Sequence, residues 1–197
     1  MGEMIKMVVV LTILSSFSGG LLAALKDGTK ERIENQELNL VKGPAVRQIL
    51  EGSSNDPVAD RFKMTVGDRE ETIFIGVFDG KANTVAFETE GKGFADKFGL
   101  MVAVNTDEDK VVGISLTTMK ETPGLGARAK TDPSFAAQFK GLSVDQPVKV
   151  TTDGGSINAL SGATITSRGV CAAATNALKL YSEIKPQLME KIKAAGK

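Results

Sequence analysis

An uncharged segment near the start of the chain restricts the possible folds most strongly. It runs from Met7 to Leu25 and is bracketed by Lys6 and Lys26. As an α-helix it would be roughly 29 Å long, about the thickness of the hydrocarbon core of a bilayer. The roughly 170 residues that follow it are enough for one domain with its own hydrophobic core. The sequence therefore predicts a membrane anchor over residues 1–27.

A secretory signal peptide is the alternative interpretation of this segment, since its charged start and apolar stretch would look similar. Ala23 and Ala24 are small, but no good A-x-A cleavage site precedes the first charges. Small residues within the segment are also typical of helix contacts inside membranes. These features favour a retained anchor.

The charges that flank the segment bear on its orientation. Lys6 is the only basic residue before it, whereas Lys26, Lys30 and Arg32 follow it. The positive-inside rule, taken alone, predicts that the C-terminal side of the segment lies in the cytoplasm.

Composition excludes several classes of function. Lysine plus arginine and aspartate plus glutamate both number 24, which argues against a nucleic-acid-binding protein. The chain has no histidine, so triads, general bases and metal sites that need imidazole are excluded. The single cysteine excludes a disulfide framework and an iron–sulfur cluster within the chain.

A helical connector is predicted between the anchor and the domain, over residues 28–56. Thr29 is placed to cap a charged helix that runs to about Leu40. Gly43-Pro44 would break this helix, and a short helix to Leu50 would follow.

The next part of the chain has the pattern of a β-meander. The segments are short and mostly rich in Val, Ile, Phe and Thr, with turn residues between them. The predicted strands are Phe62–Val66, Thr72–Phe78, Thr84–Thr89, Leu100–Asn105 and Val111–Thr117.

The last third of the chain is mainly helical. We expect a short helix over Ser134–Phe139, a further strand over Val148–Thr152, and a long helix from Thr164 to Tyr181. Pro186 is expected to interrupt that helix, and Cys171 to be a small core residue on it. The sum is an α+β fold in which one N-terminal transmembrane helix precedes an antiparallel sheet packed with helices, with the domain over residues 57–197.

Two motifs carry candidate chemistry. The first, SGATITS, spans residues 161–167 and places four hydroxyl groups at the start of the long helix, where the unpaired N–H groups can bind an anion. Spacing alone favours simple helix capping over phosphate binding. Arg168 is expected to add a mobile positive charge nearby. The second motif, ETPGLG over residues 121–126, predicts a tight turn, and its glycines would let the backbone approach a ligand closely.

Together these motifs resemble those of the FMN-binding domain family, in the order and spacing that the family uses. The Gly91-Lys92-Gly93-Phe94 segment, the single N-terminal span and the helix after SGAT also match, so the resemblance covers nearly the whole chain. The likeness is strongest to the G subunits of Rnf ion-translocating ferredoxin:NAD⁺ oxidoreductase complexes. The C subunits of the Na⁺-translocating NADH:quinone reductase are related.

The resemblance implies a flavin site. In this family the threonine that closes SGAT is esterified to the phosphate of FMN by a flavin transferase, which makes Thr164 the attachment residue. Residues of the same motif would surround the phosphate, namely Ser161, Gly162, Ala163, Thr166 and Ser167. Residues of the second motif would line the isoalloxazine, namely Glu121, Thr122, Leu125 and Gly126.

The resemblance also implies a role. The chain would be an electron-transfer subunit, not catalytic alone, in a complex that couples electron flow between ferredoxin and NAD⁺ to Na⁺ or H⁺ movement. Its partners would include a second flavin-carrying membrane subunit. The flavin domain would lie outside the cytoplasmic face of the bacterial inner membrane, against the charge count after the span.

One departure from the family pattern supports a different class of function. An acidic residue often stands three positions before the SGAT serine, and Asn158 occupies that place. This favours, as an alternative, a membrane-anchored assembly or scaffold subunit without flavin. A further alternative is the C subunit of the quinone reductase.

Overall fold

The computed structural model describes residues 2–67 and 69–195. It divides into two compact units, Met1–Leu40 and Val41–Lys197. Helix α1, Gly2–Glu37, has no buried residue. Within the described residues, the one helical stretch long and apolar enough to cross a membrane is Gly2–Ile49, to which α1 belongs. This bears out the expected apolar N-terminal span.

The predicted boundary at Thr29 is wrong, because α1 runs through this residue without a break. The Thr29 hydroxyl donates a 2.7 Å hydrogen bond to the carbonyl of Leu25 on the preceding turn, so it does not cap a new helix. A π-helical turn, Leu38–Lys42, follows α1. Helix α2, Gly43–Ile49, then begins with Pro44 in its first turn, a position where proline costs no hydrogen bond.

A five-stranded antiparallel sheet follows, with its strands in sequential order. This confirms the predicted meander, although most strands extend beyond the predicted ends. Asp79 and Gly80 form the turn between the second and third strands, and both have positive φ, as a two-residue hairpin requires. The strands are β1 Arg61–Val66, β2 Arg69–Phe78, β3 Lys81–Lys92, β4 Lys97–Asn105 and β5 Lys110–Leu116.

Both faces of the sheet are covered. Strand β4 is buried over nearly its whole length, which is the pattern of a central strand with helices on both sides. Leu100, Val102 and Val104 of β4 lie in the main core. That core includes helix α5, Thr164–Ala195, which packs against β3 and β4. Helix α2 packs against β5 and β4.

Two short helices connect β5 to the C-terminal part, α3 Arg128–Thr131 and α4 Pro133–Ala137. The second confirms the helix predicted near residue 134. The carboxylate of Asp132 caps α4 by accepting a 3.0 Å hydrogen bond from the N–H of Ser134.

The strand predicted at Val148–Thr152 is wrong. Thr151–Asp153 form a 3₁₀ turn, and Val150 makes an isolated bridge to Ile157. The N–H of Val148 donates to the hydroxyl of Thr175 on α5, at 2.9 Å, instead of to a neighbouring strand. The segment therefore follows the surface of α5 and does not extend the sheet.

The predicted interruption at Pro186 is also wrong, since Pro186 lies inside α5. Leu188 and Ile192, two and six residues further along, are buried in the main core. Their burial offsets the hydrogen bond that proline cannot make. Cys171 is buried on α5, as expected.

Candidate functional site

The start of α5 forms one wall of the candidate site. Gly162 adopts a φ of 77°, a left-handed conformation that turns the chain before the helix begins at Thr164. Thr164 is partly exposed. Within the part of the chain that the structure describes, its hydroxyl has no hydrogen-bond partner. A free hydroxyl therefore lies at the positive end of a long helix dipole.

Two of the three other hydroxyls of the motif, those of Thr166 and Ser167, are engaged in hydrogen bonds. The Ser167 hydroxyl is buried, donates to the carbonyl of Ala163 and accepts from the N–H of Leu160, both at 3.0 Å. It thus closes the turn that precedes the helix. The Thr166 hydroxyl is also buried and donates to Glu121 Oε2 at 2.9 Å. Ser161 is exposed.

The loop after β5 forms the opposite wall. Glu121 is buried at its start, and the carbonyl of Thr122 accepts hydrogen bonds from Leu125 and Ala127, both at 3.2 Å. Gly124 has a φ of 76°. The predicted tight turn is therefore present, and it brings Leu125 toward Gly162.

The two walls enclose a cleft of about 440 Å³, a size typical of small-molecule sites. Eight of the ten predicted site residues line it, whereas Ser161 and Ser167 do not. Phe94 and Ile165 line it as well and are absent from the predicted set. The cleft is lined by Phe94, Glu121, Thr122, Leu125, Gly126, Gly162, Ala163, Thr164, Ile165 and Thr166.

The rim of this cleft is unusually apolar. Phe94 is 71% exposed, Ile165 53% and Leu125 46%. Among the described residues from Val41 onward, these are the large apolar side chains that are exposed, and all three line the cleft. Clustering of this kind marks a binding surface, because exposed apolar groups are otherwise scattered.

Comparison with known proteins decides the family. The profile of the FMN-binding domain matches residues 93–179. The G subunit of the ion-translocating oxidoreductase complex from Methanosarcina acetivorans is 30% identical, over 91% of this chain and 95% of that protein. The G subunit of the proton-translocating ferredoxin:NAD(+) oxidoreductase complex from Clostridium ljungdahlii is 32% identical, over 86% of each chain.

The chain belongs to the family of these G subunits. Its fold also resembles solved structures. One is the C subunit of the Na(+)-translocating NADH-quinone reductase from Parabacteroides distasonis, with a TM-score of 0.50 and 28% identity, covering 58% of this chain and 62% of that one. NqrC from Shewanella oneidensis, at 22% identity and a TM-score of 0.51, covers 68% and 75%. The second shows likeness of fold alone.

Phe94 and Ile165 line the cleft but were not predicted as site residues, and the sequence signals for the two differ. Phe94 closes the Gly91–Phe94 segment, which the resemblance to the G subunits had already singled out. Ile165 lies inside the SGATITS motif, but its apolar side chain gave no chemical signal there. Both reach the cleft because the loop after β3 and the first turn of α5 meet beside the loop after β5.

The expectation that Arg168 is a mobile charge near the site is wrong. Its Nε and Nη2 donate to the two carboxylate oxygens of Asp153, both at 2.7 Å. This pairing lowers the pKa of Asp153 and fixes the guanidinium in place. Arg168 lines a different cleft, beside Cys171 and the segment around Val148.

Proposed function

We propose that the chain carries one FMN, esterified through its phosphate to Thr164, and relays electrons as a subunit of an ion-translocating membrane complex. The observation that carries the proposal is the hydroxyl of Thr164, which lies on the wall of an apolar cleft and has no hydrogen-bond partner among residues 2–67 and 69–195. Hydroxyl groups with a bonded partner, such as that of Ser167, are less suited to accept a flavin phosphate.

The residues present fit this cofactor. A phosphate on Thr164 would lie at the N-terminus of α5, where backbone N–H groups and the helix dipole stabilise negative charge. Phe94, Leu125 and Ile165 offer apolar surface to a planar ring system. Bound FMN would supply one- and two-electron chemistry, and the protein would bind and orient it. The exposed rim would leave the ring open to a redox partner.

The role within a complex rests on the relatives. Their names describe subunits of ion-translocating complexes, one of them a proton-translocating ferredoxin:NAD(+) oxidoreductase. We propose that this chain likewise serves electron transfer between ferredoxin and NAD⁺, coupled to Na⁺ or H⁺ movement. A second flavin-carrying membrane subunit would exchange electrons with it, and a flavin transferase would load it.

The helix Gly2–Ile49 supports membrane anchorage of the chain. We propose that the flavin domain lies on the extracytoplasmic side, although Lys26, Lys30 and Arg32 follow the apolar segment. A single short span in a complex of several subunits can be oriented by its partners. A reporter enzyme fused to the C-terminus, active on one side of the membrane alone, tests this placement.

A second candidate, a scaffold subunit without flavin, is favoured by Asn158. Its N–H donates to Gln138 Oε1 at 2.7 Å, and Gln138 Nε2 donates to its carbonyl at 3.3 Å, so the backbone before the motif is held in place. Asn158 itself is exposed and offers an amide where relatives of this family often have a carboxylate.

Flavin fluorescence of the denatured chain on a gel, after co-expression with a flavin transferase, separates these functions. We expect fluorescence in the unmodified chain and in Thr166→Val, and none in Thr164→Val. Thr164→Ser, which keeps the hydroxyl, is the matched control and should retain fluorescence. A dark unmodified chain would favour the scaffold. Loss in Thr166→Val with retention in Thr164→Val would move the ester to Thr166.

A further inference from the structure

A buried carboxylate lies in the wall of the flavin cleft. Glu121 is 9% exposed, and both of its oxygens are occupied by neutral donors. The N–H of Ala95 donates to Oε1 and the hydroxyl of Thr166 donates to Oε2, each at 2.9 Å. Glu121 thereby joins three segments that reach the cleft: the loop after β3, the loop after β5 and the first turn of α5.

Two hydrogen-bond donors and a helix N-terminus face the carboxyl group of Glu121. A backbone N–H can act solely as a donor, so Oε1 must accept. Thr166 belongs to the first turn of α5, where the helix dipole stabilises negative charge. The N–H, the hydroxyl and the helix N-terminus thus all present partial positive charge to the Glu121 oxygens.

No lysine or arginine among the described residues forms an ion pair with Glu121. Lys120, its neighbour in sequence, instead approaches Asp96 at 3.5 Å. The carboxyl group of Glu121 therefore accepts hydrogen bonds but has no ion-pair partner among the described residues. Because the group is buried, solvent and salt screen it less than they screen a surface carboxylate.

The position of the carboxylate is also tightly constrained. A Cβ on Gly93 would lie 2.2 Å from Oε1, and a Cβ on Gly126 would lie 2.5 Å from Oε2. Two glycines on separate loops thus bring the backbone against the two oxygens. This close packing keeps the negative charge beside the cleft.

We infer that Glu121 lowers the reduction potential of the flavin in this cleft, an inference that rests on the proposed function. Reduction transfers electrons from the redox partner to the ring system. A fixed negative charge beside the ring in a poorly screened site raises the free energy of the reduced form more than that of the oxidised form. Glu121 is therefore a positioning and tuning residue, acting through its charge.

The test is a spectroelectrochemical titration of the full-length chain in detergent at pH 8, after loading by a flavin transferase. Glu121→Gln keeps the shape of the side chain and removes its charge. We expect this variant to carry flavin and to have a more positive midpoint potential than the unmodified chain. Asp96→Asn is the matched control, since it removes an exposed carboxylate from the loop after β3, and its potential should be unchanged.

A loaded Glu121→Gln chain whose potential is unchanged or more negative overturns the inference and leaves the proposed function intact. An equal positive shift in Asp96→Asn also overturns it, because an exposed carboxylate would then affect the flavin potential as much as the buried one. An unmodified chain without flavin instead contradicts the proposed function itself, so the two failures are distinguishable.

Thr166→Val covers the case in which Glu121→Gln fails to load. This variant keeps the carboxylate and removes one hydrogen bond that disperses its charge. We expect its flavin potential to be more negative than that of the unmodified chain. An unchanged or more positive potential overturns the inference, as does loss of flavin from both variants, which would make Glu121 a residue of attachment or folding.

Discussion

Thr166 donates its hydroxyl hydrogen to Glu121 across 45 residues of sequence, at 2.9 Å. This bond connects the two motifs that the sequence analysis found separately. It also distinguishes the two threonines of one motif, since Thr166 is buried and engaged, while the hydroxyl of Thr164 has no partner among the described residues. The architecture of the cleft depends on the loops that hold Glu121 in place.

Gly126→Ala should disrupt that arrangement. The new Cβ would lie 2.5 Å from Glu121 Oε2 and 2.9 Å from Thr166 Oγ1, so one of these groups must move. We expect the free energy of unfolding to fall by about 1–3 kcal/mol, the usual cost of overpacking, with weaker flavin fluorescence. Thermal unfolding in detergent and in-gel fluorescence measure the two effects.

Gly113→Ala is the control for this variant. Its Cβ would lie 3.7 Å from Ile49, an ordinary van der Waals contact. Stability should be unchanged or rise by about 0.4–1 kcal/mol, because alanine restricts the unfolded chain. Equal losses in the two variants would contradict the role given to the Glu121 contacts.

Asp109→Asn should destabilise the link between the sheet and α5. Lys185 Nζ donates to both oxygens of Asp109 at 2.6 Å, and the hydroxyl of Tyr181 donates to Oδ1 at 2.8 Å. Burial raises the pKa of Asp109, but these hydrogen bonds and the lysine charge outweigh it and lower the pKa below 3.8. Because the side chain is partly exposed, we expect Asp109→Asn to lower the free energy of unfolding by about 1 kcal/mol at pH 7.

The pH dependence of this loss follows from the direction of the shift. A carboxyl whose pKa is lower in the folded state adds stability above its unfolded value, and that stability disappears as pH falls through the folded value. The difference in the free energy of unfolding between Asp109→Asn and the unmodified chain should therefore be largest at pH 7 and shrink below pH 3.8. Unfolding midpoints measured across this range check it, with Asp107→Asn in the same turn as control. A difference that grows in acid would refute the assignment.

Cys171 should be unreactive in the folded protein. Burial, and secondarily the charge of Asp153, raise the pKa of its thiol from 9.0 to about 12. At pH 8 this leaves about 1,000-fold less thiolate than in the unfolded chain. Maleimide should label the folded chain at least that much more slowly than the denatured chain. Rapid labelling of the folded protein would show that the helix face is open.

Ala172→Cys in a Cys171→Ala background is the matched control for this labelling. Ala172 is the next residue on α5 and is exposed. Its thiol should react readily in the folded protein, which shows that the reagent reaches this part of the helix.

Elements with local sequence signals could be predicted from the sequence. The five strands of the meander and the start of α5 at Thr164 agree with the expectations, because strand-forming composition, turn residues and helical spacing are local signals. The end of α5 could not be predicted, since Leu188 and Ile192 are buried beyond a proline that would normally stop a helix. The segment around Val148 has the composition of a strand, but its hydrogen bonds go to Thr175 on the helix.

By itself, the sequence determined the apolar span, the meander and the two motifs, because each depends on residues that are close along the chain. The tertiary structure alone decided which groups are available for chemistry. A carboxylate 45 residues away accepts a hydrogen bond from Thr166, and Asp153 pairs with Arg168. The hydroxyl of Thr164 on the cleft has no such partner among the described residues. Hydrogen-bond partners of this kind depend on how loops meet in space, and no local period in the sequence encodes that.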